Sequence, residues 1–222
     1  MIVVHHLENS RSQRILWLLE ELGVPYEIKL YKRDPKTMRG PAELRAVHPL
    51  GKSPVVTDGD VTVAESGAII EYLVETYGAG RLEPPAGSAE RRLYRYYLHF
   101  AEGSMMSPLL MKLVFTRLPS GVPGLIRPIA RAISGKALSS FVQPQIDQML
   151  AFLEGELGAR DWFAGAEMTA ADIQMSFPLE GAAARGGLDA RYPRLKDWLA
   201  RIHARPAYKK ALERGGPYAL LS

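Results

Sequence analysis

Residues 48–73 run His48-Pro49-Leu50-Gly51-Lys52-Ser53-Pro54-Val55-Val56-Thr57-Asp58-Gly59-Asp60-Val61-Thr62-Val63-Ala64-Glu65-Ser66-Gly67-Ala68-Ile69-Ile70-Glu71-Tyr72-Leu73. Asp58-Gly59 between two β-branched runs is a hairpin signal. Pro54 opens the first strand, where its missing N–H removes a ladder donor. A proline at such a loop–strand junction is a candidate for a cis bond. A cis bond exposes the backbone N–H and C=O of Ser53 to a peptide-like ligand lying alongside as an extra strand. Glu65 and Ser66 lead into a helix carrying Ala68, Ile69, Ile70, Tyr72 and Leu73. Ser66 is a candidate cap there, and the same N–H groups and hydroxyl suit a carboxylate. Glu65 beside them suits an ammonium, so the pair fits a zwitterionic amino-acid head group.

Upstream, Ile2–Leu7 reads as a strand. Ser10–Ser12 open a helix whose buried face is Ile15, Leu16, Leu18, Leu19 and Leu22, stopped by Gly23 and Pro25. Tyr26, Ile28 and Leu30 alternate with Glu27, Lys29 and Tyr31, the pattern of a half-buried strand. A short helix is predicted near Pro41–Val47. The order is thus β-α-β-α-β-β-α. Asn9-Ser10-Arg11-Ser12-Gln13-Arg14 falls at a strand-to-helix junction, where unpaired N–H groups favour an anion. The apolar periodicity starts three residues after Ser12, which makes Ser12 the better cap and leaves Ser10 to face a ligand. The Ser10, Ser53 and Glu65 sites fall at one edge of the same layer.

Downstream, the Gly- and Pro-rich run from Gly78 to Ser88 reads as a linker. The boundaries follow as 1–78, a linker 79–89, and 90–222. The last part reads as helical, with amphipathic faces at Leu93, Tyr97, Phe100 and Ala101, at Leu138–Leu157, and at Leu195–Ile202. Leu118–Gly135 reads as an irregular connection. Thr169 and Asp172 form a capping box, with Met168 and Ile173 as its hydrophobic staple, and Asp172 is read as structural.

The chain has 222 residues and no cysteine. Disulfides, Cys-x-x-Cys redox pairs, thiolate zinc sites and cysteine nucleophiles are therefore excluded, and any sulfur chemistry needs a substrate thiol. No metal is expected. The formal net charge of +4 comes without a long Lys/Arg run, which gives a solvated surface and no nucleic-acid face. No apolar run approaches the roughly 20 residues that span a bilayer, and the N-terminus lacks signal-peptide features. The expected compartment is the cytoplasm, with no membrane or nucleic-acid partner.

Ser10-Arg11-Ser12-Gln13-Arg14 running into Trp17-Leu18-Leu19-Glu20-Glu21-Leu22-Gly23 resembles the first helix of the cytosolic glutathione transferases. Pro49–Pro54 and Glu65–Leu73 are similar to that family's glutathione-binding segments, and Thr169-Ala170-Ala171-Asp172-Ile173 to the capping box of its C-terminal domain. The resemblance covers nearly the whole chain. It implies an α/β thioredoxin-like N-terminal domain followed by an all-α helical-bundle C-terminal domain, in a homodimer. It further implies that the backbone of Ser53, next to Pro54, meets the cysteinyl part of glutathione. Glu65 and Ser66 hold the γ-glutamyl head, and Lys52 lies near the glycyl carboxylate. Some family branches place Tyr in the first strand or Cys at the helix start. Here Ser10 is the candidate at the thiol, with Asn9 and Ser12 as alternatives. The expected activity is conjugation of glutathione to an apolar electrophile, in detoxification, with Tyr97, Met105 and Met106 as candidates to line the electrophile's pocket. A glutathione-dependent peroxidase or isomerase, or a non-catalytic binding protein of this fold, is the alternative.

Overall fold

A computed structural model describes residues 1–35, 37 and 39–218. The last four positions of the expected helical region lie outside the described residues. Element order in the first part is as predicted: β1 Ile2–Leu7, α1 Ser12–Leu22, β2 Tyr26–Tyr31, α2 Ala42–Val47, β3 Val55–Asp58, β4 Val61–Ala64 and α3 Ser66–Tyr77. The sheet order is β2-β1-β3-β4. β1 runs parallel to β2 and antiparallel to β3, with His5 opposite both Lys29 and Val55. β3 and β4 form the hairpin around Gly59-Asp60.

The sheet buries Ile2, Val4, Val55 and Val56, and α1 and α3 add Ile15–Leu19, Ile69, Ile70 and Leu73. α1 is buried from Ser12 to Leu19 without a break, more than its apolar stripe requires. Gly23 ends it at φ +68, with Val24 N–H bonded to the Leu19 carbonyl, a left-handed stop that a side chain would strain. In β2 the alternation fails at its end. Leu30 is 56% exposed, while Tyr31 is buried with Leu7 and Leu44 in a small second core. β2 is an edge strand, and α2 supplies Leu44 to the face that the alternation assigned to solvent.

The second part is helical throughout. α4 Ala89–Phe100 passes through a π-helical turn, Ala101–Met105, into α5 Met106–Arg117. The expected irregular stretch Leu118–Gly135 is only partly irregular. Two 3₁₀ turns occupy Leu118–Ser120 and Gly124–Ile126, and then α6 spans Arg127–Ala137. Pro128 in the first turn of α6 is compatible with a helix start, so the proline does not break it. A π turn, Leu138–Val142, leads to α7 Gln143–Ala159; α8 Ala170–Gly181, α9 Pro193–Ala204 and α10 Pro206–Gly215 follow.

The capping box of α8 forms as predicted. Asp172 Oδ2 accepts the Thr169 N–H at 2.9 Å. Its Oδ1 also accepts the Phe163 N–H and the Trp198 Nε1–H, each at 3.1 Å. Asp172 is fully buried, and desolvation raises its pKa against those three hydrogen bonds and a fourth from Thr169 Oγ1 at 3.2 Å. One carboxylate thereby joins α8, α9 and the 160s loop. The two halves meet where α1 and α3 pack on α8 and where α1 packs on α10. Across this joint the buried Arg14 donates to the Gln174 carbonyl and to Glu102. Glu21 accepts from Arg205, and Glu20 pairs with Lys210 and Arg214.

Candidate active site

The loop from β1 to α1 carries Asn9, Ser10 and Arg11. Asn9 adopts φ +51, a region that Asn tolerates better than most residues because its short amide can bond locally. Arg11, not Ser12, holds the N-cap position of α1. The expected cap is therefore corrected: Ser12 is the first helical residue and has no exposed surface. Ser10 takes over the capping contact, its Oγ accepting the Ser12 N–H at 3.2 Å. Ser12 Oγ instead stands 2.8 Å from His6 Nδ1 and 2.7 Å from Ser10 Oγ, and donates at 3.4 Å toward the Leu7 carbonyl.

Ser10 and Ser53 face the same cleft. It encloses about 480 Å³ and is lined by Leu7, Asn9, Ser10, Arg11, Arg33, Arg39, Gly40, Arg45, Leu50, Gly51, Lys52, Ser53 and Phe177. Five of these side chains are cations and none is an acid. Low-dielectric walls of one sign concentrate an oppositely charged ligand. Gly51 adopts φ +57, and the Arg45 stem lies 2.5 Å from where a Cβ would stand, so a glycine there lets Arg45 cross the loop. Arg33 is held by Glu8 and by the backbone of Asn9, and burial lowers its pKa from the ordinary value.

The Ser53–Pro54 peptide is cis. Ser53 Oγ donates to the His5 carbonyl at 2.8 Å and accepts the Leu7 N–H at 3.2 Å. The hydroxyl thus extends the β1–β3 ladder by one step. Pro54 is buried and Lys52 exposed.

Glu65 and Ser66 begin α3 and do not line the cleft. Glu65, not Ser66, occupies the N-cap position and makes no side-chain cap bond. Ser66 is buried, its Oγ accepting from Gln174 Nε2 at 3.4 Å. Glu65 is exposed yet adopts φ +69. Such a backbone costs about 1–3 kcal/mol for a residue with a Cβ and concentrates at functional sites.

Phe177 on α8 forms part of the cleft wall and was not legible in the sequence, where it reads as one more apolar residue of a mostly apolar helix. The guanidinium groups of Arg11 and Arg14 stand 5.2 and 5.4 Å from its ring centre. Both arginines converge on Glu102, with Arg11 Nε 2.9 Å from each of its oxygens. Glu102 lies in the π turn between α4 and α5, an irregularity that often marks a functional site. The three expected pocket residues are elsewhere. Tyr97 is fully buried, bonded to Glu156 at 2.5 Å and packed on Phe163. Met105 is fully buried and Met106 packs half-buried against the same core. Among the described residues, no three His, Asp or Glu side chains stand close enough to hold a metal, and no helix is long and apolar enough to cross a membrane.

Comparison with known proteins gives the family and the fold. The family profile described as Glutathione S-transferase, N-terminal domain matches residues 1–75, and the C-terminal-domain profile matches residues 117–206. Glutathione S-transferase 3 of Schizosaccharomyces pombe is 40% identical over 215 residues, 96% of this chain and 88% of that protein. A crystal structure of a glutathione S-transferase from Actinobacillus pleuropneumoniae superposes with a TM-score of 0.78 at 34% identity, covering 100% of this chain and 96% of the other. A sphingomonad glutathione S-transferase complexed with glutathione gives 0.71 at 27% identity, covering 96% and 98%. A thioredoxin-like sheet domain joined to a helical domain, with a cation-lined cleft at the joint, defines a glutathione-using transferase fold. The chain belongs to the glutathione S-transferase family, whose co-substrate is glutathione.

Proposed function

We propose that this transferase joins the glutathione thiolate to an apolar electrophile, with Ser10 as the group at the sulfur. The observation that carries this is the placement of Ser10 on the wall of a cleft with five cations and no acid. Glutathione brings two carboxylates and one ammonium. Lys52 takes the glycyl carboxylate, and the exposed Arg45 and Arg39 add charge to the same wall. The backbone of Ser53 takes the cysteinyl unit; its side chain is already bonded to β1. Glu65 and the N-terminus of α3 at Ser66 take the γ-glutamyl head, a role supported by the strained backbone at Glu65. Phe177 and Leu50 offer the electrophile an apolar wall. Tyr97 and Met105 belong to the buried core and take no part in that wall. Asn9 and Ser12 rank below Ser10: Asn9 is at the cleft, and Ser12 is one hydrogen bond removed from it.

The protein works as a cytoplasmic homodimer in detoxification. Support for the dimer comes from exposed apolar side chains in both halves, Val61 on β4 and Tyr96 and Phe152 on the helices. The experiment is a glutathione column followed by assays with a chloro-nitro-aromatic, a hydroperoxide and an isomerisable double bond. Retention with turnover of the aromatic supports conjugation. Turnover only of the hydroperoxide or the double bond moves the assignment to peroxidase or isomerase, and failure to bind glutathione overturns the site.

A further inference from the structure

Behind Ser10 a chain of hydrogen bonds runs away from the cleft into the protein. Ser10 Oγ is 2.7 Å from Ser12 Oγ, Ser12 Oγ is 2.8 Å from His6 Nδ1, and His6 Nε2 is 3.1 Å from the carbonyl of Gly215 at the end of α10. All four residues are buried. The direction of each proton follows from the ends of the chain. A carbonyl only accepts, so His6 carries its hydrogen on Nε2, and Nδ1 of a neutral imidazole is then an acceptor. Ser12 has one hydroxyl proton and two acceptors in reach, and His6 Nδ1 at 2.8 Å takes it in preference to the Leu7 carbonyl at 3.4 Å. In the short contact between the serines Ser10 is therefore the donor. Without ligand, the proton expected to meet the sulfur points inward, and Ser10 offers the cleft a lone pair.

We propose that His6 takes up the thiol proton of bound glutathione through Ser10 and Ser12, so that thiolate formation and reversal of this chain are a single event. The proposal rests on Ser10 being the residue at the sulfur. The S–H bond breaks and its proton goes to Ser10 Oγ. The Ser10 proton passes to Ser12 Oγ, and the Ser12 proton passes to His6 Nδ1. One S–H bond is lost and one N–H bond formed, two O–H bonds are exchanged, and no electron changes hands. The product is a thiolate accepting from Ser10, Ser10 accepting from Ser12, and Ser12 accepting from an imidazolium whose other N–H still bonds Gly215. The Ser12 N–H to Ser10 Oγ bond is kept in both states and fixes the oxygen while its proton changes sides. His6 is thus a positioning residue with a base function, acting on the substrate only through the serines.

Burial is the leading influence on His6 and lowers its pKa, opposed by the Gly215 bond. At pH 7 the imidazole is accordingly neutral without ligand. It holds a proton only when the thiolate supplies the opposite charge at the other end of the chain. The titratable groups on the neighbouring elements are otherwise engaged or distant. On α1, Arg14 pairs with Glu102, Glu20 with Lys210 and Arg214, and Glu21 with Arg205. Lys209 and Glu213 of α10 and Glu27 and Lys29 of β2 are exposed. Tyr208 bonds Glu180, Tyr26 bonds Glu20, and His5 bonds Tyr31 and Thr57. Asp58 of β3 is bonded to Tyr72 and Tyr77.

Proton counting tests this. Glutathione binding to the full-length protein is measured by calorimetry at pH 7 in two buffers of different ionisation enthalpy. The thiolate formed is measured from its ultraviolet band, and S-methylglutathione, which has no thiol proton, is titrated in parallel as the control ligand. With the relay, wild type gains thiolate on binding glutathione while releasing almost no more protons than it does on binding S-methylglutathione. His6→Asn keeps an acceptor near the Nδ1 position but cannot store the proton. It forms less thiolate at pH 7, and what it forms releases about one proton per thiolate to the buffer. Ser12→Ala, which interrupts the chain, behaves like His6→Asn and guards against a folding defect in either variant alone. If wild type releases about one proton per thiolate and His6→Asn matches it, the relay is wrong while Ser10 can still stand. If Ser10→Ala leaves the thiolate band unchanged, or wild type shows no band, the assignment of Ser10 fails and the relay with it.

Discussion

At the scale of single residues, the role proposed for Ser10 depends on how much one hydroxyl can do. A cysteine-type thiol with an unperturbed pKa of about 8.5 is only about 3% thiolate at pH 7. Lowering it by about two units needs roughly 2.7 kcal/mol. One hydrogen bond to a charged acceptor supplies about 1.5–3 kcal/mol, and the start of α1 adds about 0.3–1, so neither a metal nor a cysteine is needed. Ser10→Ala should raise the pKa of bound glutathione by one unit or more and cut turnover near neutral pH, with affinity nearly unchanged. Ultraviolet titration of the bound thiol checks this, and an unaltered titration curve would pass the role to Asn9 or the loop backbone. Glu65→Ala should behave in the opposite way. A charge-assisted bond to a ground-state head group is worth about 1.5–3 kcal/mol, so glutathione affinity should fall by about tenfold or more while saturated turnover changes little. Calorimetric binding equal to wild type would remove Glu65 from the site.

At the scale of elements, the β3–β4 hairpin is tied to α3 and to the chain start through one carboxylate. Asp58 accepts from Tyr72 at 3.0 Å and from Tyr77, and stands 3.6 Å from the terminal ammonium. These partners, the Tyr77 hydrogen bond foremost, hold its pKa below the ordinary 3.8 and push Tyr77 up to about 12. A carboxylate with a depressed folded pKa contributes stability that is fully present above the unfolded value and is lost as pH falls through the folded value. Asp58→Asn should therefore be less stable than wild type at pH 7, and the gap should close progressively below pH 3.8. Denaturant unfolding at several pH values measures it, and a gap that stays constant down to about pH 2 would mean the ionised form is not what stabilises the hairpin. Asp172 has the contrary sign: burial raises its pKa, so its protonation does not drive acid unfolding.

At the scale of the whole molecule, the cleft exists because two halves share α1. That helix gives one face to the sheet and α3 and the others to α8 and α10, and it delivers Arg11 and Arg14 to Glu102 and Phe177 of the helical half. In the proposed homodimer, sheet domain against helical domain, a second copy would cover the exposed apolar side chains of β4, α4 and α7. Sedimentation at micromolar concentration should give a mass near twice 24.6 kDa. A monomer there would refute the homodimer.

The features legible in the sequence were those that neighbouring residues specify by themselves. Asp58-Gly59 makes a hairpin, Thr169 and Asp172 make a box, Gly23 stops a helix, and Pro54 can take the cis form, because each depends on backbone geometry within a few positions. The order of elements in the sheet domain followed from those signals, and so did the meeting of Ser10 and Ser53 at one cleft, whereas Glu65, expected beside them, does not line it, and Lys52 was implied only by the family resemblance. Tertiary structure decided the rest. Whether Ser10 or Ser12 capped α1 turned on His6 and on Gly215, 209 positions from it in sequence, since a buried imidazole must satisfy both of its nitrogens. Tyr97 and Met105 have the composition of a pocket wall but the burial of a core. Leu30 and Tyr31 exchanged burial, each keeping its face, because α2, and not solvent, covers the Tyr31 side of the edge strand. Phe177 became a wall of the cleft only once α8 was laid across α1. In each case the deciding partner is remote in the chain, and hydrophobic periodicity shows that a face is buried without showing what buries it.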